Sequence, residues 1–323
     1  MKTHNISHFR DIHVHAATVQ QWSQDYSQLS AGCSESSLMQ LTTEHCHMFL
    51  EQINQRVVQN GVAPRERMCF AVPINVPGSI RMQGRDVDDS SLFFLNGGEE
   101  FMFHMPTGMQ LLSVTFEREL FEQALAHTAE AKDIAALLRQ PVIRVPPKRF
   151  AAARRRLLAM FAQALTSEAP DGAWERPLEQ AMLDELLQLM SDPACDKQQR
   201  SQSSTRSFIV EKCHRLVAAQ MTRAPSVIDL CERLQVSRRT LQNSFHAVAD
   251  TTPLNYLRAV RLNGVRRTLM STQAAQLPIG DAAAQWGFYH LSHFAAEYFE
   301  LFAELPSQTT RAASAASAAS APA

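Results

Sequence analysis

The strongest constraint in this sequence is a pattern of apolar residues that occurs twice near its C-terminal end. The first copy consists of Val227, Leu230, Leu234, Val236, Leu241, Phe245 and Pro253. The second copy consists of Ile279, Ala282, Trp286, Phe288, Phe294, Tyr298 and Pro306. The offset is 52 residues at the first position and 53 residues from Leu241 onward, so the second copy has one more residue at its turn. Each copy predicts two short amphipathic helices around a tight turn, the helix-turn-helix arrangement that presents its second helix to the DNA major groove.

The first copy also carries local signals for two capped helices and one exposed polar face. Ser226, with Asp229 three residues later, predicts a capping box, and Ser237 predicts the N-cap of the second helix. Arginine pairs in bidentate fashion with guanine, and glutamine or asparagine with adenine. A lone polar face is usually just solvated, but the tandem arrangement favours DNA contact. The candidate DNA-binding residues of this helix are Arg238, Arg239, Gln242, Asn243 and His246.

The charge balance separates the two parts of the chain. Residues 205–311 contain 12 Lys and Arg residues against 8 Asp and Glu residues, a net charge of +4. The rest of the chain contains 19 basic and 24 acidic residues, a net charge of −5. A basic C-terminal part joined to an acidic partner is typical of a nucleic-acid binder with a separate sensing or assembly domain.

The N-terminal part predicts a small β structure followed by helices. Residues 68–72 predict a strand ended by Pro73, and residues 93–95 and 101–105, joined by an Asn-Gly-Gly turn, predict a hairpin. Residues 149–165 and 174–190 have helical spacing. The second of these helices carries an apolar stripe that either closes the N-terminal core or forms a dimer seam. Its members are Leu178, Met182, Leu186 and Leu189.

These patterns predict an α+β protein with four successive segments. Residues 1–191 form an effector-sensing and dimerisation domain, a small β-barrel or sandwich with flanking helices. Residues 192–207 are polar and rich in Ser and Gln, which predicts a linker. Residues 208–311 form an all-α domain of two helix-turn-helix units joined by a long helix. Residues 312–323 are an Ala/Ser repeat that predicts a disordered tail.

Four segments of the C-terminal part resemble the DNA-binding domain of the AraC/XylS family of bacterial transcription regulators. They are SRRTLQNSF (237–245), RLNGVRRTL (261–269), QWGFYHLSHF (285–294) and LFAELPS (301–307). The resemblance covers about a third of the chain. It implies two helix-turn-helix units that enter successive major-groove segments on one face of promoter DNA, and a regulator that acts with RNA polymerase, in most cases as an activator.

Within that family, residues 229–248 and 281–307 most resemble the members that control ethanolamine-utilisation operons. The resemblance implies ethanolamine, adenosylcobalamin or both as small-molecule effectors, with no covalently bound cofactor. A homodimer is a further expectation. A pocket for a small amine would use carboxylates and aromatic rings. The N-terminal strands offer several such residues without fixing an effector site: Glu99, Glu100, Phe101, Phe103 and His104.

The chain departs from the family pattern at three positions. The family usually has an arginine in the second recognition helix where this chain has Ala296, and it commonly has glycine at the turns occupied by Asp250 and Ala303. The remaining polar candidates on the second recognition helix are His290, Ser292 and His293. We therefore expect the two recognition helices to contribute unequally to base recognition. The first would supply most of the base specificity, and the second would mainly position the protein, contact a thymine methyl group or read DNA shape.

The predicted long helix at 253–270 contains four arginines whose role the sequence leaves open between phosphate contact, internal ion pairs and solvent. They are Arg258, Arg261, Arg266 and Arg267. We expect Arg261 to be structural.

Two other motifs allow an enzyme or a metal site as alternatives. Cys213, followed by His214 and Arg215, is similar to the acceptor site of alkyl-DNA repair proteins, but it lies in an amphipathic helix and lacks the preceding proline. On an extended strand, His45 and His47 would point to the side opposite Cys46. Asp11, His13 and His15 are spaced for the same alternation. The side chains could not easily converge on one ion, so a zinc site is disfavoured.

The sequence therefore predicts a DNA-binding regulator rather than an enzyme, with no bound metal. Two rival hypotheses are a DNA-repair methyl acceptor with a DNA-targeting domain and a DNA-binding protein without an effector. No CxxC pair occurs, and no stretch approaches the length of about 20 apolar residues that a membrane span needs. These features predict a cytoplasmic protein that does not enter a membrane.

Overall fold

The computed structural model describes residues 3–78, 80–82, 85–87, 89–128, 130–166, 173–195, 205–219 and 225–312. These residues belong to two compact units. Unit 1 comprises Met1–Tyr26 and Glu35–Ser203, and unit 2 comprises Ser27–Ser34 and Ser204–Ala323. Residues 196–204 of the predicted linker and residues 313–323 of the predicted tail lie outside the described residues.

The strands of the described chain are numbered in sequence order. They are β1 (Thr3–Phe9), β2 (Ser23–Gln28), β3 (Ser36–Thr42), β4 (Cys46–Ile53), β5 (Val57–Val62), β6 (Arg67–Asn75), β7 (Ile80–Met82), β8 (Arg85–Val87), β9 (Ser91–Asn96), β10 (Glu100–Met105), β11 (Gln110–Glu117) and β12 (Val142–Arg144). They form a seven-stranded sheet in the order β1-β3-β4-β11-β6-β9-β12 and a five-stranded sheet in the order β2-β5-β10-β7-β8.

The helices are numbered in the same way. They are α1 (Ile12–Thr18), α2 (Arg118–Ala126), α3 (Ala131–Leu137), α4 (Pro147–Thr166), α5 (Glu175–Met190), α6 (Thr205–Ala219), α7 (Val227–Leu234), α8 (Arg238–Ala249), α9 (Pro253–Ser271), α10 (Ile279–Gln285) and α11 (Leu291–Phe302), followed by a 3-10 turn at Pro306–Gln308. None of the described helices is long and apolar enough to cross a bilayer.

Unit 1 has three layers, because both faces of the seven-stranded sheet are covered. Met48 of β4 and Phe94 of β9 pack against the helices α2–α5, in a core that includes Phe121. Phe93 and Leu95 of β9 face the five-stranded sheet instead. Successive residues of a strand point to opposite faces, so a strand buried on both sides becomes a nearly continuous apolar run. The predicted α+β fold is confirmed as a sandwich flanked by helices.

The helical stripe of α5 belongs to this core. Met182 and Leu186 are fully buried, Leu189 is almost so, and Leu178 packs against the same cluster. The core-packing interpretation of the stripe is therefore confirmed, because Met182, Leu186 and Leu189 are buried within the protomer and are not available to the alternative dimer seam.

The predicted hairpin at residues 93–105 is wrong, although both of its strands exist. Strand β9 pairs with β6 and β12, whereas β10 pairs with β5 and β7 in the other sheet. The turn between β9 and β10 is hydrogen-bonded to β6, because the amide of Gly97 donates to the carbonyl of Arg67 at 2.8 Å. A Cβ atom at Gly97 would lie 2.6 Å from the carbonyl oxygen of Pro64. The glycine thus lets the chain pass from one sheet to the other.

The strand predicted to end at Pro73 continues to Asn75. Proline lacks an amide hydrogen, so it is tolerated only where the strand ladder does not need one. The pairing of β6 with β9 covers only residues 68–71, and the register of β6 with β11 shifts between Gln110 and Leu111. Pro73 lies at this irregularity, which is why it does not end the strand.

Unit 2 contains the two predicted helix-turn-helix units, and their local caps form as expected. The Ser226 side chain accepts from the amide of Asp229, whose carboxylate accepts from the amide of Ser226, so the capping box is confirmed. Ser237 accepts from the amide of Thr240 at the start of α8. Between these helices Gln235 adopts a left-handed conformation with φ of 54°.

Helix α9 is the structural centre of unit 2. In its first half, the Tyr256 ring packs edge-on against Phe245 of α8, and its hydroxyl lies 3.0 Å from Nδ1 of His214 on α6. In its second half, Gly264 approaches the Trp286 ring so closely that a Cβ atom would lie 2.5 Å from indole carbons. One helix therefore carries both helix-turn-helix units.

A short segment from early in the chain completes unit 2. The Gln28 amide donates to Oδ1 of Asn263 at 3.0 Å, and Nδ2 of Asn263 donates to the Gln28 carbonyl at 2.9 Å. The Gln28 side chain also donates to the carbonyl of Leu301 at 2.7 Å. Asn263 is fully buried, and these bonds satisfy polar atoms that burial would otherwise leave unpaired.

Asp250 and Ala303, where the family commonly has glycine, both end recognition helices in the left-handed region, with φ of 48° and 55°. An L-residue with a Cβ is strained there, whereas glycine is not. We expect Ala303→Gly to raise the free energy of unfolding by about 0.5–1 kcal/mol. Urea unfolding monitored by circular dichroism measures this change.

The matched control is Ala296→Gly on the same helix, which should lower the free energy of unfolding by about 1 kcal/mol because position 296 is helical. Equal losses from both substitutions would contradict the strain at Ala303.

Candidate nucleic-acid interface and buried cavity

The five candidate residues of α8 lie together on its exposed face. Arg238, Arg239, Gln242, Asn243 and His246 are all exposed, and no salt bridge within the described residues holds either arginine. The apolar residues of the same helix are buried: they are Leu241, Phe245 and Val248. The helix therefore presents charged and amide groups with the donor and acceptor patterns that suit phosphates and base edges.

The face of α11 has a different chemistry. His290, at its N-cap without a side-chain cap bond, and Ser292 and His293 are exposed. Two neighbours that were not predicted from the sequence, Tyr289 and Leu291, are 70% and 52% exposed. Both lie outside the apolar positions of the repeat, and this position in the helical pattern could have predicted their exposure from the sequence. An exposed leucine suits contact with a thymine methyl group.

The arginines of α9 mostly serve the protein itself. Arg261 donates to the carbonyls of Trp286 at 2.9 Å and Gly287 at 3.2 Å, and it lies over the Phe288 ring at 4.4 Å. The structural role expected for Arg261 is confirmed. These bonds hold the turn between α10 and α11 against the long helix.

Two further arginines of α9 form ion pairs that the sequence left open. Arg266 is buried and donates to Glu304 at 2.6 Å and to the Tyr298 hydroxyl at 3.2 Å. Arg258 lies 3.1 Å from Glu297 of α11. Phosphate contact by these two side chains would require breaking the bonds that pack α11 and the segment after it onto α9.

The Cys213 motif has the wrong surroundings for an alkyl acceptor. Cys213 is fully buried, and burial raises the pKa of its thiol to about 12. An acceptor needs an accessible thiolate. Beside it, burial and then the charges of Arg267 and Arg215 lower the pKa of His214 to about 4. The pair packs α6 within unit 2.

The histidine clusters of unit 1 do not converge either. Residues 11–15, interpreted as an alternating strand, instead start helix α1, with Asp11 as the N-cap that accepts from the amides of His13 and Val14. His45 bonds Glu117 at 2.8 Å. Among the described residues no group of three or more His, Cys, Asp and Glu side chains is placed to hold a metal ion.

Unit 1 contains a cavity between its two sheets, with a volume of about 40 Å³. Phe101 and Phe103, both named among the pocket candidates, line it, whereas Glu99 and Glu100 are exposed at the turn. The cavity also contains a buried carboxyl group that was not predicted from the sequence. Glu51 lines the cavity and is 1% exposed. Other lining residues include Trp22, Tyr26, Phe49, Gln59 and Phe93.

The lowered pKa of His214 predicts a loss of stability in acid. The unfolded chain takes up a proton near the ordinary histidine pKa of 6.5, while the folded chain resists protonation until about pH 4. Stability is thus fully present above pH 6.5 and falls as the pH drops toward 4. Between pH 7 and pH 5 this histidine should lower the free energy of unfolding by about 2 kcal/mol.

Urea unfolding of wild type and His214→Gln at the two pH values measures this contribution. The variant should lose less stability than wild type on acidification, and His246→Gln, at an exposed position of α8, is the control. The prediction fails if His214→Gln and wild type show the same pH dependence.

Comparisons with known proteins agree with the geometry of unit 2. A family model described as a helix-turn-helix domain matches residues 230–312. The XylDLEGF operon transcriptional activator of Pseudomonas putida is 37% identical over 101 residues, which are 31% of this chain and 32% of that protein. The probable thc operon regulatory protein of Rhodococcus erythropolis is 33% identical over 86 residues, 27% of this chain and 26% of that protein.

The chain spans about a quarter to a third of the length of these two curated relatives. Among solved structures, the AraC-like transcriptional activator CuxR aligns with a TM-score of 0.44 and 12% identity over 80% of this chain and 94% of its own. The family match and the sequence relatives support a helix-turn-helix domain at the C-terminal end, a kind of domain that implies DNA binding.

Proposed function

We propose that this chain is a sequence-specific DNA-binding regulator that activates transcription of a catabolic operon in response to a small molecule. The observation that carries the proposal is the build of unit 2. Two helix-turn-helix units pack on the single helix α9, and each has a recognition helix with an exposed face. Similarity to two operon regulators over this region supports the same function.

The two recognition helices divide the work of DNA recognition. Helix α8 carries Arg239, Gln242 and Asn243, whose groups match base edges. Helix α11 carries Leu291 and the small Ala296 in place of a cation, so it contributes position, methyl contact and groove shape. Specificity should therefore be concentrated in the half-site that α8 contacts.

The response to a small molecule rests on the cavity of unit 1. The volume of this cavity, about 40 Å³, suits a molecule of a few heavy atoms. Ethanolamine, which the family resemblance suggests, is such a molecule. Adenosylcobalamin, with its corrin ring, is far larger than this cavity. Activation would also require RNA polymerase, and a homodimer would let two copies bind repeated half-sites.

The rival function of DNA repair is disfavoured by the burial of Cys213 and its raised thiol pKa. A DNA-binding protein without an effector is the other alternative. Transcription from the cognate promoter in a purified system, with and without small amines, separates it from the proposed regulator, because only the regulator changes its output.

The role of the exposed face of α8 is tested by replacing Arg239 and Gln242, the two side chains expected to form bidentate contacts with bases. Arg239→Ala and Gln242→Ala should each weaken binding to the selected site by about 1–3 kcal/mol and relax base preference at one position. Fluorescence anisotropy with the selected duplex and its single-base variants measures both effects. Arg215→Ala, an exposed arginine of α6, is the control. An unchanged base preference in the double variant would refute the assignment of this face.

Ala296 offers the opposite test on α11, since a cation can be added at an exposed position. Ala296→Arg should tighten binding to specific and unrelated duplexes alike, because a phosphate contact carries no sequence information. The slope of log affinity against log salt should steepen by about 1. Ala296→Gln is the uncharged control. If arginine and glutamine gave the same salt dependence, position 296 would not face the phosphate backbone.

A further inference from the structure

We propose that unit 1 carries a basic patch, residues 131–156, that binds the phosphate backbone of duplex DNA flanking the site recognised by unit 2. Within this segment only Asp133 is acidic, whereas eight side chains are basic. The basic residues are Lys132, Arg139, Arg144, Lys148, Arg149, Arg154, Arg155 and Arg156. The proposal rests on the DNA binding proposed above and adds a second contact surface, outside the two recognition helices.

The basic patch holds more positive charge than any other part of the chain considered above. Its net charge is +7, whereas residues 205–311, which include both recognition helices, have a net charge of +4. The rest of residues 1–204 contains 11 basic and 23 acidic side chains, a net charge of −12. Positive charge in the N-terminal part is thus concentrated in one segment, the distribution expected of a surface that attracts a polyanion.

The fold of unit 1 turns the cations of the basic patch outward. The segment forms α3, β12 and the first half of α4. Seven of its eight basic residues are exposed, and Arg154 is half-buried. Its apolar residues enter the core between the seven-stranded sheet and the helices: they are Ile134, Leu137, Leu138, Ile143, Val145, Phe150 and Ala153. The two kinds of side chain are therefore separated, with charge on one side and packing on the other.

Lys148 and Arg155 lie at the centre of the exposed face of α4. They are seven residues apart, which is close to two helical turns, so they project in nearly the same direction. The buried residues Phe150, Ala153 and Leu157 occupy the opposite side of the helix. Two turns correspond to about 10.5 Å along the helix axis, a length that covers about three phosphates of one DNA strand.

Two cations of the basic patch are paired with carboxylates. Arg149 lies 3.2 Å from Asp192, and Arg156 donates two hydrogen bonds of 2.6 Å to Glu185. Five others form no ion pair within the part of the chain that the structure describes: they are Lys132, Arg139, Lys148, Arg154 and Arg155. Charges that the fold leaves without counter-charges are available to an external anion.

The position of Lys148 is unfavourable for the helix that carries it. Lys148 and Arg149 lie in the first turn of α4, which contains no acidic residue. The helix dipole places partial positive charge at this end, so cations here oppose helix formation. The three consecutive arginines at 154–156 add repulsion between like charges. A polyanion across this face would relieve both effects, which helix stability alone does not explain.

The side chains between the cations favour duplex DNA over other anionic partners. Residues 131–156 are all described, and none of their large apolar side chains is exposed. A membrane-binding helix or a protein interface uses apolar anchors, and single-stranded nucleic acid uses aromatic rings for stacking. Duplex DNA presents a regular row of phosphates that requires only cations. The basic patch therefore suits the backbone of a duplex and carries no sequence preference.

The test compares two duplexes that contain the same selected site. One has about 20 base pairs, two turns of DNA, and the other adds about 15 base pairs of unrelated sequence on each side. Fluorescence anisotropy measures binding of the full-length protein between about 0.05 and 0.2 M salt. For wild type, the longer duplex should steepen the slope of log affinity against log salt by about 2 and bind at least about tenfold more tightly at the lowest salt, because two further phosphates are neutralised.

Paired substitutions identify the cations responsible. Lys148→Gln/Arg155→Gln should abolish both effects of the longer duplex and leave binding to the shorter duplex unchanged. Lys148→Arg/Arg155→Lys keeps both charges and should behave as wild type. The matched control is Arg10→Gln/Arg65→Gln, which removes two exposed arginines elsewhere in unit 1 and should preserve both effects. Binding to the shorter duplex also verifies that each variant is folded.

Three results would overturn the proposal. One is the same salt slope for wild type on both duplexes. Another is a glutamine double variant that retains the effects of the longer duplex, as expected if the basic patch binds an acidic protein instead. The third is equal weakening of that variant on both duplexes. Failure of the proposed function is distinguishable, because wild type would then not bind the shorter duplex at all.

Discussion

The close contact between Gly264 of α9 and the Trp286 indole is the constraint on which the DNA-binding unit depends. No side chain larger than hydrogen fits there without displacing the ring. The indole also donates to Thr268 at 3.1 Å, and Arg261 binds the Trp286 carbonyl. Since Tyr256 fixes the first unit to the other half of the same helix, α9 determines the spacing between α8 and α11. That spacing decides which segments of a duplex the two helices can reach together.

Buried charges play two different roles in the two units. In unit 2 the buried Arg266 is matched by Glu304 and by the Tyr298 hydroxyl, so its charge is compensated within the fold. In unit 1 the buried Glu51 accepts hydrogen bonds from Tyr26 and Gln59 at 3.0 Å each and lies 3.4 Å from Nε2 of His15. The cluster around Arg266 packs helices together, whereas the cluster around Glu51 joins a strand of the seven-stranded sheet to strands of the five-stranded sheet.

Sequence patterns predicted unit 2 in detail because its signals are local. The caps at Ser226 and Ser237 and the buried phase of Phe245 follow from residues within two helical turns of one another. The role of Arg266 was not predictable in the same way, because its partner Glu304 lies 38 residues away. The exposure of Leu291 could be predicted from its position outside the repeated apolar pattern. Its place at the start of α11, beside the exposed polar residues, could be identified only in the structure.

Unit 1 was less predictable because its sheets are assembled from distant strands. Both strands of residues 93–105 were correct, but their pairing depended on contacts of Gly97 with Pro64 and Arg67. Glu51 gave no local signal, since a lone carboxylate in a strand normally faces solvent. Only the second sheet, packed over β4, converts that position into the wall of a cavity.

The central claim, that two recognition helices on one rigid helix read a duplex, is tested most directly by selection from a random duplex library with the full-length protein. The account predicts a bipartite motif, with one strongly specified half and one weakly specified half about 10 base pairs away, one helical turn of DNA. A single motif without a second half, or no enrichment at low ionic strength, would contradict it.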